Sequence, residues 1–277
     1  MVLNNTRINA DETRIRADKA VIMEEPKIIY EDENFAAVYK PAGMLTHPAR
    51  TNADRTQTDA DNFQRSSAPS PRESAILTDW LLKKYPEMKN VGDEPEIRPG
   101  IVHRLDRETS GILLAAKNQN SFEYLKSLFK KRQIKKTYIA LVHGEFKEKT
   151  GVIDKEIRRK KNSVKRTTFS GKTAKQAITR YAVKKTLKDT DGEIFSLLEV
   201  FPETGRTHQI RVHLASIGHP VVGDMLYGSK NQPAFTNASA GRPAFAKRLM
   251  LHAGSLEFST EEGRRFKLEV EPPDDFV

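Results

Sequence analysis

Apolar and polar positions along the chain fall into short blocks whose period changes often, and each block predicts one element. Ile28, Ile29 and Tyr30, followed by Phe35 to Tyr39, flank an acidic turn at 31–34 and read as two strands. Lys40-Pro41-Ala42-Gly43 ends the second strand, because proline cannot donate to a ladder and glycine permits a turn. Within 73–85, Ile76, Trp80 and Leu81 share a helical face, and Pro86 stops that helix. Residues 100–103 and the apolar run 112–116 are expected strands joined by a polar turn at 104–111. Phe122, Leu125, Leu128 and Phe129 mark an amphipathic helix with Lys126, Lys130, Lys131 and Arg132 on its wet side. Strands follow at 137–142, 176–185 and 194–201. Ile210, Leu214 and Ile217 predict a helix that Gly218 ends in a left-handed cap, and 255–258 with 266–270 form a closing hairpin around Glu261-Glu262-Gly263.

Three segments lack such a pattern. Residues 1–25 fit a short hairpin over 7–21 and a loosely attached tail equally well. Residues 50–73 are rich in Ser, Thr, Asp and Pro and predict a mobile loop, since they cannot bury enough surface to offset ordering. Residues 229–247 form a second polar insertion. Strands outnumber helices without alternating regularly with them, so the expected class is α+β, a largely antiparallel mixed sheet flanked by helices. The expected organisation is an N-terminal extension at 1–26 and one domain over 27–277.

Composition adds a partner class. Of 277 residues, 37% are hydrophobic, enough for a core. Lys and Arg total 47 against 37 Asp and Glu, a net charge of +10 that attracts polyanions, nucleic acid above all. The absence of cysteine excludes disulfides and thiolate metal sites. The first 25 residues mix acids with arginines and fit neither a signal nor a transit peptide. No apolar run approaches the ~20 residues that span a membrane. The expectation is a soluble, cytoplasmic monomer.

Two clusters carry candidate chemistry. His103-Arg104-Leu105-Asp106-Arg107-Glu108-Thr109-Ser110-Gly111 sets a carboxylate between two arginines in a short turn. If the strand continues, Arg104 and Asp106 share a face, and a neighbouring cation favours the ionised form that suits a nucleophile or a transition-state stabiliser. A plain salt-bridged turn has the same residues, and the spacing does not separate the two. The second cluster is Thr204-Gly205-Arg206-Thr207-His208-Gln209-Ile210-Arg211-Val212-His213. Arginines entering a helix oppose its macrodipole unless a carboxylate or phosphate faces them. His208 and Arg211 share the face opposite the apolar stripe, which is equally compatible with a solvated face. Five residues separate His208 from His213, about 140° apart on a helix, too far for one metal ion. Phosphate-binding glycine loops and a GxSxG elbow are absent. Tyr138 opens an apolar strand, where core packing is the default, and Lys135 and Lys136 before it also suit stacking on a base.

Together these segments resemble the RluA-type RNA pseudouridine synthases. The resemblance runs in order through Tyr39-Lys40-Pro41-Ala42-Gly43, His103-Arg104-Leu105-Asp106 with Thr109-Ser110-Gly111, and Lys136-Thr137-Tyr138-Ile139-Ala140-Leu141-Val142. It continues through Thr204 to Leu214, Gly218-His219-Pro220 and Gly223-Asp224, covering about residues 27–273. It implies the pseudouridine synthase fold with a central basic cleft, no cofactor and no metal, and conversion of uridine to pseudouridine in structured RNA. Large-subunit ribosomal RNA is the first expectation for the substrate and transfer RNA the second. A non-catalytic RNA-binding protein on the same fold is the alternative. Carried over, Asp106 is the catalytic aspartate, and Tyr138 stacks on the uracil and is a candidate to take the C5 proton. Arg211, or failing it Arg206, partners Asp106, and Arg104 contacts phosphate or wedges the flipped nucleotide. His208, Lys136 and Thr109 complete the substrate-binding set. Family members often carry an N-terminal S4 RNA-binding module. Here about 25 residues precede the match, so 1–26 are either a remnant of its last strands or unrelated to it.

Overall fold

The computed structural model describes residues 24–48, 76–160, 163, 165–169, 171–190, 192–228, 246, 248–260 and 263–276. The readings of 7–21, of 50–73 and of nearly all of 229–247 lie outside these residues, as do Glu261 and Glu262 of the closing turn. Among the described residues, no helix is long and apolar enough to cross a membrane.

Nine strands form one sheet. Its order is β1 (Lys27–Glu31), β2 (Phe35–Lys40), β3 (Ser110–Ala116), β11 (Leu251–Ser259), β4 (Lys135–His143), β10 (Ile194–Pro202), β9 (Ile178–Lys188) and β5 (Thr150–Asp154), and β12 (Arg265–Glu269) pairs with β11. All pairings are antiparallel except β3 with β11, which meet in parallel over two positions, Ser110 with His252 and Gly111 with Ala253. The α+β class and the largely antiparallel sheet are as expected. Helices α1 (Leu77–Lys84), α2 (Gln119–Lys130) and α3 (Gln209–Ser216) pack around it.

The parallel contact is where two half-sheets meet, and it depends on one glycine. Gly111 adopts φ +122°, and a Cβ there would lie 2.2 Å from the Ala253 carbonyl oxygen. Beside it, buried His252 donates from Nε2 to the Val270 carbonyl at 3.0 Å, leaving Nδ1 to accept the Ser110 hydroxyl at 2.9 Å. Burial pushes this imidazole down to about 4.

Beyond Gly111 the free edge of β3 is covered by 100–103, although not as the strand expected from its apolar residues. Gly100 turns at φ +67°, and one isolated bridge, Ile101 with Ala115, is all the ladder that forms. Next along, the His103 ring takes the place of a backbone carbonyl, its Nε2 accepting the Leu114 N–H at 2.9 Å. Burial drives His103 down to about 3, which keeps that nitrogen an acceptor.

Other differences are local. Helix α1 begins only at Leu77, because Ile76 is extended and bridges to Leu45. Of its expected face Leu81 is buried and Trp80 partly so, with Leu77 buried in place of Ile76, and the helix stops before Pro86 as expected, Pro86 opening a 3-10 turn at Pro86–Asn90. The sequence pattern also missed β5 and a separate small sheet of β6 (Ile157–Arg159), β7 (Arg166–Thr167) and β8 (Lys172–Lys175). That segment is too cationic to alternate. Its anchor is Ile157, packed with Ala177 and Val212, the last on α3.

Because His252 stays neutral to about pH 4 when folded and protonates near 6.5 when unfolded, the unfolded chain binds more protons between these values. Its contribution is therefore complete above pH 6.5 and lost as pH falls towards 4. Denaturant titrations should show the wild type losing about 2 kcal/mol more than His252→Gln between pH 6.5 and 5.

Candidate active site

All eight residues singled out in the sequence, Arg104, Asp106, Thr109, Lys136, Tyr138, Arg206, His208 and Arg211, line one cleft of about 600 Å³. It opens over the seam between the half-sheets. Asp106 lies in the loop entering β3, Lys136 and Tyr138 alternate on one face of β4, and Arg206, His208 and Arg211 belong to the start of α3.

The Asp106 loop is clamped by the segment that ends β2. Lys40 is fully buried, and its ammonium donates to the carbonyls of Pro41 (2.8 Å), Met44 (2.9 Å) and Arg107 (3.1 Å). Burial pulls it down to about 7, against the attraction of Glu108 and Asp106. Gly43 N–H donates to the Arg107 carbonyl at 2.8 Å and Arg107 Nε returns a bond to the Gly43 carbonyl at 3.0 Å. Thr46 holds the Leu105 carbonyl at 3.0 Å, and Thr109 N–H closes on the Asp106 carbonyl at 3.1 Å. The Lys40-Pro41-Ala42-Gly43 motif is thus a brace for the aspartate.

The cation facing Asp106 comes from neither neighbour in sequence. Arg107 turns to Gly43, and Arg104, outside any strand, donates to His47 Nε2 at 3.1 Å. Instead Arg211 Nη1 lies 3.5 Å from Asp106 Oδ2. Arg206, the second choice as partner, donates to the Gln176 carbonyl at 3.1 Å. His208 Nε2 stands 3.9 Å from Asp106 Oδ1.

Arg211 is itself held by a residue to which sequence reasoning gave no role. Asp224 takes Nε and Nη2 in a bidentate pair at 2.7 Å each, with its carboxylate wholly buried. Burial works against the charge on Arg211, and the bonds and charge of Asp224, then the charge of Asp106, outweigh it and raise its pKa. The Asp224 Oδ1 also accepts the N–H groups of Leu226 (2.9 Å) and Tyr227 (3.0 Å). Gly223-Asp224 in the motif was the available signal. The glycine is required, since at φ +76° a Cβ would lie 2.1 Å from the Arg248 carbonyl oxygen. Arg211, in the first turn of α3, is therefore opposed by two carboxylates, which resolves its conflict with the helix dipole.

Tyr138 is pushed up by burial and then by the Asp106 charge, so its phenol stays protonated. Lys136 is drawn down to about 8 by burial and then by Arg132, with Nζ 3.4 Å from the Thr204 carbonyl. His213 points away from the cleft to Thr179 (2.9 Å) and the Lys155 carbonyl (3.0 Å), consistent with the helical spacing that separates it from His208.

Residues 34–216 match the sequence profile of the family described as RNA pseudouridylate synthase. The chain is 35% identical over 244 residues to a Borreliella burgdorferi protein named ribosomal large subunit pseudouridine synthase D, an alignment covering 88% of this chain and 64% of that one. It is 34% identical over 245 residues to a Zymomonas mobilis protein of the same name, covering 88% and 68%. The chain thus spans about two thirds of the length of these relatives. Among solved structures, human RNA pseudouridylate synthase domain containing 1 aligns with a TM-score of 0.64 and 26% identity, over 92% of this chain and 85% of that one.

Replacing Asp224 by Asn leaves Arg211 buried with its main counter-charge gone, and breaking a buried pair in this way costs about 3–5 kcal/mol. Urea denaturation of Asp224→Asn should show a loss in that range.

Proposed function

The chain belongs to the RNA pseudouridylate synthase family, in its RluA-type branch, and we propose that it isomerises uridine to pseudouridine in structured RNA, with large-subunit ribosomal RNA as substrate. The observation that carries this reading is Asp106 facing Arg211 at 3.5 Å in a cleft that also holds Tyr138.

In the reaction the N1–C1′ bond of uridine breaks, the uracil turns, C5 bonds to C1′, and the C5 hydrogen leaves as a proton while N1 gains one. Asp106 supplies the negative charge this needs, either by adding to sugar or base or by stabilising positive charge on the sugar. Arg211 orients that carboxylate. Tyr138 is assigned to stacking on the uracil. A phenolate to take the C5 proton is disfavoured in the free protein, where burial and Asp106 both oppose it. Because bases inside an RNA helix are out of reach, the nucleotide must leave its stack, and Arg104, Arg206, Lys136, His208 and Thr109 line the cleft that would receive it.

Charge placement supports an RNA substrate. Residues 155–175 carry nine Lys or Arg against one Glu, a net +8 of the chain's +10. The small sheet of β6, β7 and β8 lies within this stretch, rooted on α3 beside the cleft. Phe169, between β7 and β8, is 78% exposed among these cations, as an aromatic that stacks on a base would be.

Tritium at uridine C5 of large-subunit ribosomal and transfer RNA transcripts tests the reading. The wild type should release it to water and Asp106→Ala should not, while RNA affinity stays within a few fold. Release from transfer RNA alone would reassign the substrate. Tight binding without release would make the chain an RNA-binding protein. Affinity should fall steeply with salt. Arg159→Ala with Lys160→Ala should lower the slope of log affinity against log salt by about 1–2, since each phosphate no longer neutralised removes about 0.7–0.9.

A further inference from the structure

Tyr227 stands in the turn after Asp224 and touches four parts of the site at once. Its N–H donates to Asp224 Oδ1 at 3.0 Å, and its ring centre lies 5.3 Å from the Arg211 guanidinium carbon. Its hydroxyl oxygen accepts the Arg166 N–H from β7 at 2.8 Å and sits 2.8 Å from His208 Nδ1. Two elements distant in sequence, β7 and the start of α3, therefore converge on one phenol.

The proton arrangement follows from counting donors. Arg166 N–H already occupies a lone pair of the hydroxyl, whose own proton is free to point at His208 Nδ1. A neutral imidazole that accepts at Nδ1 carries its proton on Nε2, the nitrogen 3.9 Å from the Asp106 carboxylate. The opposite tautomer would aim a lone pair at that carboxylate. Burial holds His208 low, which keeps the ring neutral. His208 also adopts a left-handed backbone, φ +55°, as the residue capping α3, a conformation that persists in a non-glycine residue only when its surroundings enforce it. The bond to Tyr227 is one such restraint.

We propose that Tyr227 is a positioning residue that sets the tautomer of His208 and the direction of Arg211 towards Asp106, and that it makes both depend on the docking of the cationic β6–β8 sheet. The dependence arises because the same hydroxyl holds the backbone of β7, while Ile157 of β6 packs in one cluster with Val212 of α3 and with Tyr227. RNA gripped by the sheet would thereby brace the groups around Asp106. The kinetic part of this proposal rests on the pseudouridine synthase reading; the tautomer does not.

Tyr227→Phe keeps the ring over Arg211 and removes only the hydroxyl. In nitrogen-15 NMR of histidine-labelled protein, wild-type His208 should carry its proton on Nε2, and Tyr227→Phe should shift the population towards Nδ1. Tritium release should show kcat falling roughly tenfold with KM within about twofold, as expected when an interaction made mainly in the transition state is lost. His208 is faced by Asp106, Arg211, Asp224, Arg166 and Tyr227. With Nδ1 freed of its donor, the acid limb of the kcat profile should move to higher pH. Ile157→Ala, which loosens the sheet without touching the hydroxyl, should move kcat and the acid limb in the same directions. A wild-type His208 protonated on Nδ1, or an unchanged tautomer in Tyr227→Phe, overturns the proposal. Unchanged kcat in both variants overturns its link to chemistry. Absence of tritium release by the wild type would count against the enzyme reading alone, since the NMR result is read without RNA.

Discussion

Where β3 and β11 run parallel, two backbones approach so closely that a single methyl group at Gly111 would collide with Ala253. The candidate site residues are arranged across this contact. Asp106 enters from the β1–β2–β3 side, whereas Tyr138 on β4 and Arg211 on α3 belong to the other half-sheet. The separation of the carboxylate from its cation is therefore a property of the seam. Polar residues fasten it: Ser110 to His252 beside the glycine, and His103 in place of a missing strand beyond it.

Buried polar groups do most of the positioning, and Lys40 and Arg211 are each satisfied by partners matched to their chemistry. The three donors of Lys40 meet three carbonyls, two from its own turn and one from the aspartate loop. Arg211 is fixed by Asp224 through two parallel bonds and offers its remaining nitrogen to Asp106. Such a pair gains little net stability over an apolar contact, because both ions lose their water. What it supplies is direction: a guanidinium locked on one edge has little freedom on the other. A site that must present charge to a substrate benefits more from that restraint than from stability.

Positive charge is concentrated where it can act on the site. Most of the net charge lies in residues 155–175, the stretch that contains the small sheet, whose apolar root packs against the helix carrying Arg211. A polyanion held there lies next to the cleft, and the Tyr227 hydroxyl provides a physical route from that surface to the groups around Asp106.

The sequence by itself determined the elements with a clear period and the candidate residues that the fold gathers in one cleft. The apolar runs of β2 and β4, the alternation of β10 and β12, and the helical spacing of α2 were legible because these residues pack into the core on the sheet. The Asp106 and Arg211 segments stood out because their charges conflict with their local surroundings. Tertiary structure decided the rest. Arg104 and Arg107 flank Asp106 in sequence, yet each side chain bonds elsewhere, and the cation that faces the carboxylate arrives from 105 residues further on. His103 reads as part of a strand but serves as a substitute carbonyl. Asp224 was visible only as part of the Gly223-Asp224 motif, with nothing to show that it holds Arg211, Tyr227 carries no local sign of its contacts, and β6 to β8 have no apolar alternation. In all of these cases the partner is distant in the chain, and periodicity reports only what a residue does to its neighbours in sequence. Which groups meet across the seam is set by how the two half-sheets pack, and that is decided only when the chain has folded.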